Sequence, residues 1–371
     1  MRTIYLIDTK TQFKELKNEI MKTLVDVIEN DRYILGKALE KFENDFARFN
    51  NVKHAIGVAS GTDALFLSLK CLGIGSGDEV ITTPLTHIST VFSILQAGAK
   101  PVFVDVDPDT FLLDTKVIEN YITKKTKAII PVHLYGFPVN MPTLMQFAEK
   151  YNLLIIEDAC QAHGARIAGR NVGTWGNVGV FSFYPTKNLA AIGDGGMIIT
   201  DNTEISNLLK IIRNFGQTDP YYHPKFGYNS RLDTIQAAVL NIELDYLEKW
   251  NKKRRTLASI YNKLLSTLAV KLPLLGSEDD YYPVFNLYPI LITKRDGLAK
   301  YLWKHGVQTG KHYPIPLHLQ PSLKELGYKK GEFPKAEKIS SQVLTLPIHP
   351  QLNDSDISYI TAKISSWFKT K

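Results

Sequence analysis

A chain of 371 residues is too long for one small module and suggests about two domains. Lysine and arginine number 44 against 37 acidic residues, a formal charge of +7, and a composition 44% hydrophobic and 22% charged excludes disorder, collagen and low-complexity sequence. Two cysteines, Cys71 and Cys160, with no CxxC pair, exclude a disulfide scaffold and a cysteine-based zinc or redox site and point to a reducing cytoplasm. The stretch Met1 to Asp8 lacks the apolar core of a signal peptide, and no run of about 18 apolar residues is present, so neither secretion nor a membrane span is expected. Basic residues are scattered, and Lys252-Lys253-Arg254-Arg255 reads as a solvated helix face rather than a nucleic-acid patch. An anionic small-molecule ligand also suits a mildly basic protein.

From about residue 54, short β-rich runs alternate with helical stretches, the pattern of an α/β domain with a mostly parallel sheet. Strands are expected at His54 to Ala59, Glu79 to Thr83, Pro101 to Val106, Ala128 to His133 and Leu153 to Glu157, with others at Val178 to Phe183 and Gly196 to Thr200. Leu65, Leu69 and Leu72 share one helical face after Gly61, as do Leu144, Phe147 and Ala148 within Thr143 to Tyr151. From Arg231 to about Leu265 one long helix is expected, its stripe formed by Ile235, Val239, Ile242 and Leu247 with no proline or glycine to stop it. Beyond it, Tyr281 to Ile292 reads as strand, Asp296 to His305 as helix and Asp354 to Phe368 as a terminal helix. This divides the chain into a large domain, 1–245, with an N-terminal helical segment, and a smaller α+β domain, 246–371.

No GxGxxG follows a strand, and GxxxxGK[ST] and HExxH are absent, which argues against NAD, ATP and zinc-protease chemistry. Ser60-Gly61-Thr62-Asp63 lies at a strand-to-helix junction, where it either caps the helix or seats a phosphate on free N–H groups and the helix dipole. Asp158 closes a buried strand at the sheet edge where ligands bind. Lys187 follows another strand and a run of aromatics, where partial burial disfavours the ammonium form and favours attack on an aldehyde. Pyridoxal 5'-phosphate needs a lysine for its aldehyde, a carboxylate for its ring nitrogen and an anion seat, and all three are present in suitable elements.

These residues resemble the DegT/StrS-type nucleotide-sugar aminotransferases, fold type I enzymes related to aspartate aminotransferase. The resemblance rests on Tyr33-Ile34-Leu35-Gly36, Ser60 to Leu65, Gly77 to Ile81, Gly98 to Val106, Pro131 to Gly136, Glu157 to Gly164, the lysine segment, Arg213 to Gly216 and Gly227 to Asp233, nearly the whole chain. It implies that Lys187 binds the cofactor covalently and later shuttles a proton, alternating pyridoxal and pyridoxamine phosphate forms. It further implies that Asp158 pairs with the ring nitrogen and Gln161 lies near the ring hydroxyl. Gly61, Thr62, the Asp63 backbone and Ser182 would hold the phosphate, joined by Asn229 of the neighbouring subunit of a homodimer. Lys187 argues against the dehydratase branch, in which histidine replaces the lysine. His87 stands where relatives carry an aromatic ring against the cofactor; it either stacks there or only begins the next helix. His312, Tyr313 and His318 resemble the sugar-side loop, Arg231 is a further substrate candidate, and His163 either lines the sugar pocket or caps a turn. No metal is expected. The resemblance inclines towards amination at carbon 3 of a dTDP-linked 3-keto-6-deoxyhexose with L-glutamate as donor; carbon 4, a UDP-sugar, or a non-catalytic regulator are the alternatives.

Overall fold

The computed structural model describes residues 3–277 and 279–369. Two helices come first, α1 (Thr9–Asn30) and α2 (Lys37–Asn50). The Asp8 carboxylate accepts the Thr11 N–H and so satisfies one donor that the start of α1 cannot pair internally. On α2 the residues Leu39, Phe42 and Phe46 are buried, and Phe46 meets Phe181 and Phe183 edge-on at 5.1 and 5.6 Å between centroids.

The alternating segment consists of β1 (His54–Val58), α3 (Gly61–Cys71), β2 (Glu79–Thr82), α4 (Ile88–Ala97), β3 (Lys100–Phe103), β4 (Thr126–Ile129), α5 (Met141–Tyr151) and β5 (Leu154–Asp158). A short antiparallel pair, β6 (Arg166–Ile167) and β7 (Arg170–Asn171), precedes β8 (Val178–Ser182), β9 (Gly196–Thr200) and α6 (Thr203–Ile212). The central sheet has the order β1-β9-β8-β5-β4-β2-β3. Its pairings are parallel except those of β9, which runs against both β1 and β8. Antiparallel neighbours need no crossover helix, so residues 183–195 join β8 to β9 as a loop at the carboxyl end of β8. Lys187 lies in that loop.

The long helix α7 (Thr234–Leu265) starts after Asp233 rather than directly after Arg231, and the proposed division at residue 245 falls inside it. After it come β10 (Tyr281–Tyr282), β11 (Tyr288–Leu291), α8 (Arg295–Lys304), α9 (Pro334–Gln342), β12 (Val343–Leu346) and α10 (Asp354–Lys369). The single strand expected over Tyr281 to Ile292 is two strands in different sheets, β10 against β6 and β11 against β12. Pro283 has no N–H to continue a ladder, and Phe285 adopts φ 47°, which turns the chain between them. One core joins α2, α7 and the β11–β12 layer across one face of the central sheet, and a second packs α3 and α6 on the other. Among the described residues no helix is long and apolar enough to cross a membrane.

Candidate active site

The carboxyl ends of β5 and β8, the start of α3 and the start of α4 converge on a cavity of about 550 Å³. Gly61, Thr62, His87, Asp158, Gln161, Ser182, Lys187, His312 and Tyr313 all line it, so nine of the residues singled out in the sequence are brought together. Residues that the sequence reading passed over also line it, chiefly Tyr184, Thr86, Ser89, Thr90, Cys160 and Asp194.

Asp158 is held on two sides. Cys160 N–H donates to its Oδ1 at 3.2 Å, and the Thr90 hydroxyl donates to its Oδ2 at 3.0 Å. Behind it, Glu157 is wholly buried and accepts the N–H groups of Gly173, Trp175 and Gly176 at 2.6–2.8 Å. Val139 N–H donates to His133 Nδ1, so the ring proton sits on Nε2 and is donated to Glu157 Oε2 at 3.1 Å. A buried carboxylate with four donors is satisfied and fixes the strand end that carries Asp158.

Lys187 is half-buried and faces the cavity, and burial lowers its pKa, opposed by Cys160 and Asp158. Its loop is clamped on both flanks. Asn286 Nδ2 donates to Thr186 O and to Asn188 Oδ1, while Asn188 Nδ2 donates to Asn251 Oδ1 and Val284 O. The Ala190 N–H is taken by Glu243 Oε2 at 3.0 Å.

At the start of α3 the Ser60 hydroxyl accepts Asp63 N–H at 3.1 Å, so the capping reading holds for that donor. Asp63 does not line the cavity; its carboxylate accepts from the Ser230 hydroxyl. The first N–H groups of the helix, at Gly61 and Thr62, remain without intrahelical partners beside the cavity. A Cβ on Gly61 would lie 2.7 Å from Ser182 Cβ and 2.9 Å from Cys160 Sγ, so glycine is needed for this close approach.

His87 caps α4 and lines the cavity at once. Its Nδ1 accepts Ser89 N–H, its ring lies edge-on to Tyr313 at 5.9 Å, and burial with the nearby Lys187 charge lowers its pKa. Gln161 Oε1 accepts Tyr135 N–H at 2.8 Å, and its Nε2 donates to the Tyr313 hydroxyl at 3.2 Å. The Tyr135 hydroxyl in turn donates to His312 O, which ties the far wall to the floor.

Other expected residues lie elsewhere. His163 is buried against Phe181 and Phe183, neither lining the cavity nor capping a turn with its ring, and burial pulls its pKa down to about 3. His318 is also buried, paired through Nε2 with Glu337 at 3.1 Å and packed on Phe333, so it does not face the cavity. Asn229 and Arg231 line a second cavity of about 330 Å³ with Asp233 and Gln236, which shares only Asp194 with the first.

A cofactor that presents an aldehyde, a ring nitrogen and a phosphate uses the lysine, the buried carboxylate and the open helix end together, which sets the class: a pyridoxal-phosphate enzyme of aminotransferase fold. Residues 14–365 match the model of the DegT/DnrJ/EryC1/StrS aminotransferase family, and the chain belongs to that family of sugar aminotransferases. It is 45% identical to a pleiotropic regulatory protein of Geobacillus stearothermophilus over 98% of each chain. It is 41% identical to the dTDP-3-amino-3,4,6-trideoxy-alpha-D-glucose transaminase of Streptomyces venezuelae, over 97% of this chain and 95% of that one. Among solved structures, S. venezuelae DesV in complex with a ketimine intermediate superimposes with a TM-score of 0.96 at 41% identity, covering 99% of both chains.

Proposed function

We propose that the protein transfers an amino group from L-glutamate to carbon 3 of a nucleotide-linked keto sugar, with a dTDP-3-keto-6-deoxyhexose as first substrate. The observation that carries this reading is one cavity in which Lys187 and Asp158 form the floor and the His312–Tyr313 segment forms the facing wall. The S. venezuelae relative, named for a 3-amino dTDP-sugar, supports the carbon and the nucleotide.

The cofactor, when bound, supplies an electron sink next to the reacting carbon. Lys187 holds it covalently and, being more readily deprotonated than an exposed lysine, takes and returns the proton at that carbon. Asp158 accepts the ring N–H, and Gln161, fixed by Tyr135 and Tyr313, faces the ring hydroxyl. The N–H groups of Gly61 and Thr62 with the Ser182 hydroxyl receive the phosphate, Asp63 being engaged by Ser60. In the homodimer the partner subunit's Asn229 completes the phosphate seat, since Asn229 opens onto a separate cavity in its own chain. His312, Tyr313 and Tyr184 meet the sugar side. The free thiols of Cys71 and Cys160 suit a cytoplasmic setting.

The test follows the visible absorbance of the purified protein through the two half-reactions. Glutamate should bleach the band of the Lys187-bound cofactor, and one keto sugar from a panel of dTDP-3-keto, dTDP-4-keto and UDP-3-keto compounds should restore it, with an amino sugar as product. Recovery only with a 4-keto or UDP compound would overturn the stated substrate, and no recovery with any sugar would favour the regulatory reading to which the Geobacillus relative's name points.

A further inference from the structure

Helix α4 does more than carry His87. Thr90, one turn into the helix, is buried and donates its hydroxyl proton to Asp158 Oδ2 at 3.0 Å, across 68 residues of sequence. A threonine in a helix ordinarily returns its hydroxyl to the carbonyl one turn back. Here that bond is given up for a carboxylate. Because Thr90 has spent its only proton on Asp158, the bond between Thr86 Oγ1 and Thr90 Oγ1, at 3.3 Å, runs from Thr86 as donor to Thr90 as acceptor. The two buried hydroxyls therefore form a chain aimed at the carboxylate, each bond polarising the next. With Cys160 N–H on Oδ1, one donor sits on each carboxylate oxygen, and the plane of the group is fixed while a lone pair stays open towards the cavity.

We infer that Thr90 is a positioning residue for the cofactor's ring nitrogen: with Thr86 behind it, it holds the Asp158 carboxylate in the orientation that the protonated ring nitrogen meets. This rests on the assignment of Asp158 to the ring nitrogen. The start of α4 would then set the nitrogen partner of the ring through Thr90, beside His87, which lines the same cavity. In this role Thr90 acts through the Asp158 carboxylate.

The experiment measures affinity for pyridoxal phosphate and for its analogue in which ring C–H replaces the nitrogen, in the full-length dimer. Four proteins are compared: wild type, Thr90→Val, Thr90→Ser and Asp158→Asn. Thr90→Val keeps the shape and removes the donor, and should weaken pyridoxal phosphate binding by about tenfold, the lower range for a lost bond to a charged group. It should leave affinity for the analogue nearly unchanged, and Thr90→Ser should restore the preference. Equal losses for both compounds would show that Thr90 only supports the wall and would overturn the inference, as would no loss at all. Asp158→Asn separates the two claims. If it too leaves the preference for pyridoxal phosphate intact, the assignment of Asp158 fails; if it abolishes the preference while Thr90→Val does not, only the role of Thr90 fails.

Discussion

The floor of the cavity and its outer wall are built by different means. Floor residues sit at strand ends whose polar groups are nearly saturated: Asp158 has Thr90 and Cys160, Glu157 beneath it has four donors, and the Lys187 loop is gripped by Asn188, Asn251 and Asn286. The wall, from His312 through Leu319, is irregular chain with one 3-10 turn, tied to the floor chiefly through the Tyr135 hydroxyl and Gln161. Ile315 there is left exposed. On the proposed reading the difference separates chemistry from choice: the rigid floor would hold the cofactor, and the wall can change shape without disturbing it.

The largest expected effect is on the floor. Lys187→Ala should lower turnover by at least about a thousandfold, the scale of a lost proton-transfer group combined with loss of covalent anchoring. The melting temperature should move by only a few degrees, because a cavity-facing lysine contributes little to folding. Steady-state assay and thermal melts of the same preparation check both.

Next comes the support beneath Asp158. Glu157→Gln places a donating amide where four donors converge, and should cost about 3 kcal/mol or more in unfolding free energy, read by denaturant titration. A loss below 1 kcal/mol would mean that the strand end does not depend on this network. Substitutions at the half-buried His312 and Tyr313 should cost less stability than Glu157→Gln and alter KM, so the ratio of the two effects measures how separate the regions are.

A third test concerns the proposed boundary between subunits. Asn229→Ala should weaken cofactor retention, and mixing it with Lys187→Ala should restore activity to about a quarter of all sites, given random exchange and one intact composite site per mixed dimer. No recovery would place Asn229 outside the neighbouring site.

The smallest effect is the pH dependence of stability. Burial holds His163 at about 3 and His312 and His349 at about 4, against an ordinary value of 6.5, while it pushes Glu243 up to about 7 from 4.5. Below pH 6.5 the unfolded chain binds protons on three imidazoles that the folded protein refuses, so stability falls as pH drops to about 4. Glu243 acts oppositely, protonating first in the folded state, and offsets one of the three. The melting temperature of the holoenzyme should therefore fall between pH 6.5 and 4.5 by several degrees. A flat or rising profile would contradict the buried state of these histidines.

Much of the floor was legible from residue order. Asp158 ends a run of buried aliphatic residues, Lys187 follows a second such run, and Ser60-Gly61-Thr62 sits between a strand and a helix, so their convergence on one cavity followed from their places in the alternation. The polar support was harder to read. Thr90 and Asn286 lie 68 and 98 residues from the groups they bond, Asp158 and Asn188, and nothing local marks a threonine or asparagine as the partner of a residue so far away. The four-residue spacing of Thr86 and Thr90 across the helix start at His87 was the single available signal. His318 and His163 misled because residue type alone does not distinguish an imidazole facing a pocket from one packed on phenylalanines. The break between β10 and β11 follows from Pro283, visible in the sequence, and from the positive φ of Phe285, which is not.

Borohydride fixation shows whether Lys187 on this floor carries the cofactor for amino transfer. The holoenzyme would be reduced, digested and mapped by mass spectrometry, with a second sample first treated with L-glutamate. The cofactor should be found on the peptide containing Lys187 in the first sample and be lost from that peptide in the second. Attachment to another lysine, or labelling of Lys187 that glutamate leaves unchanged, would contradict it.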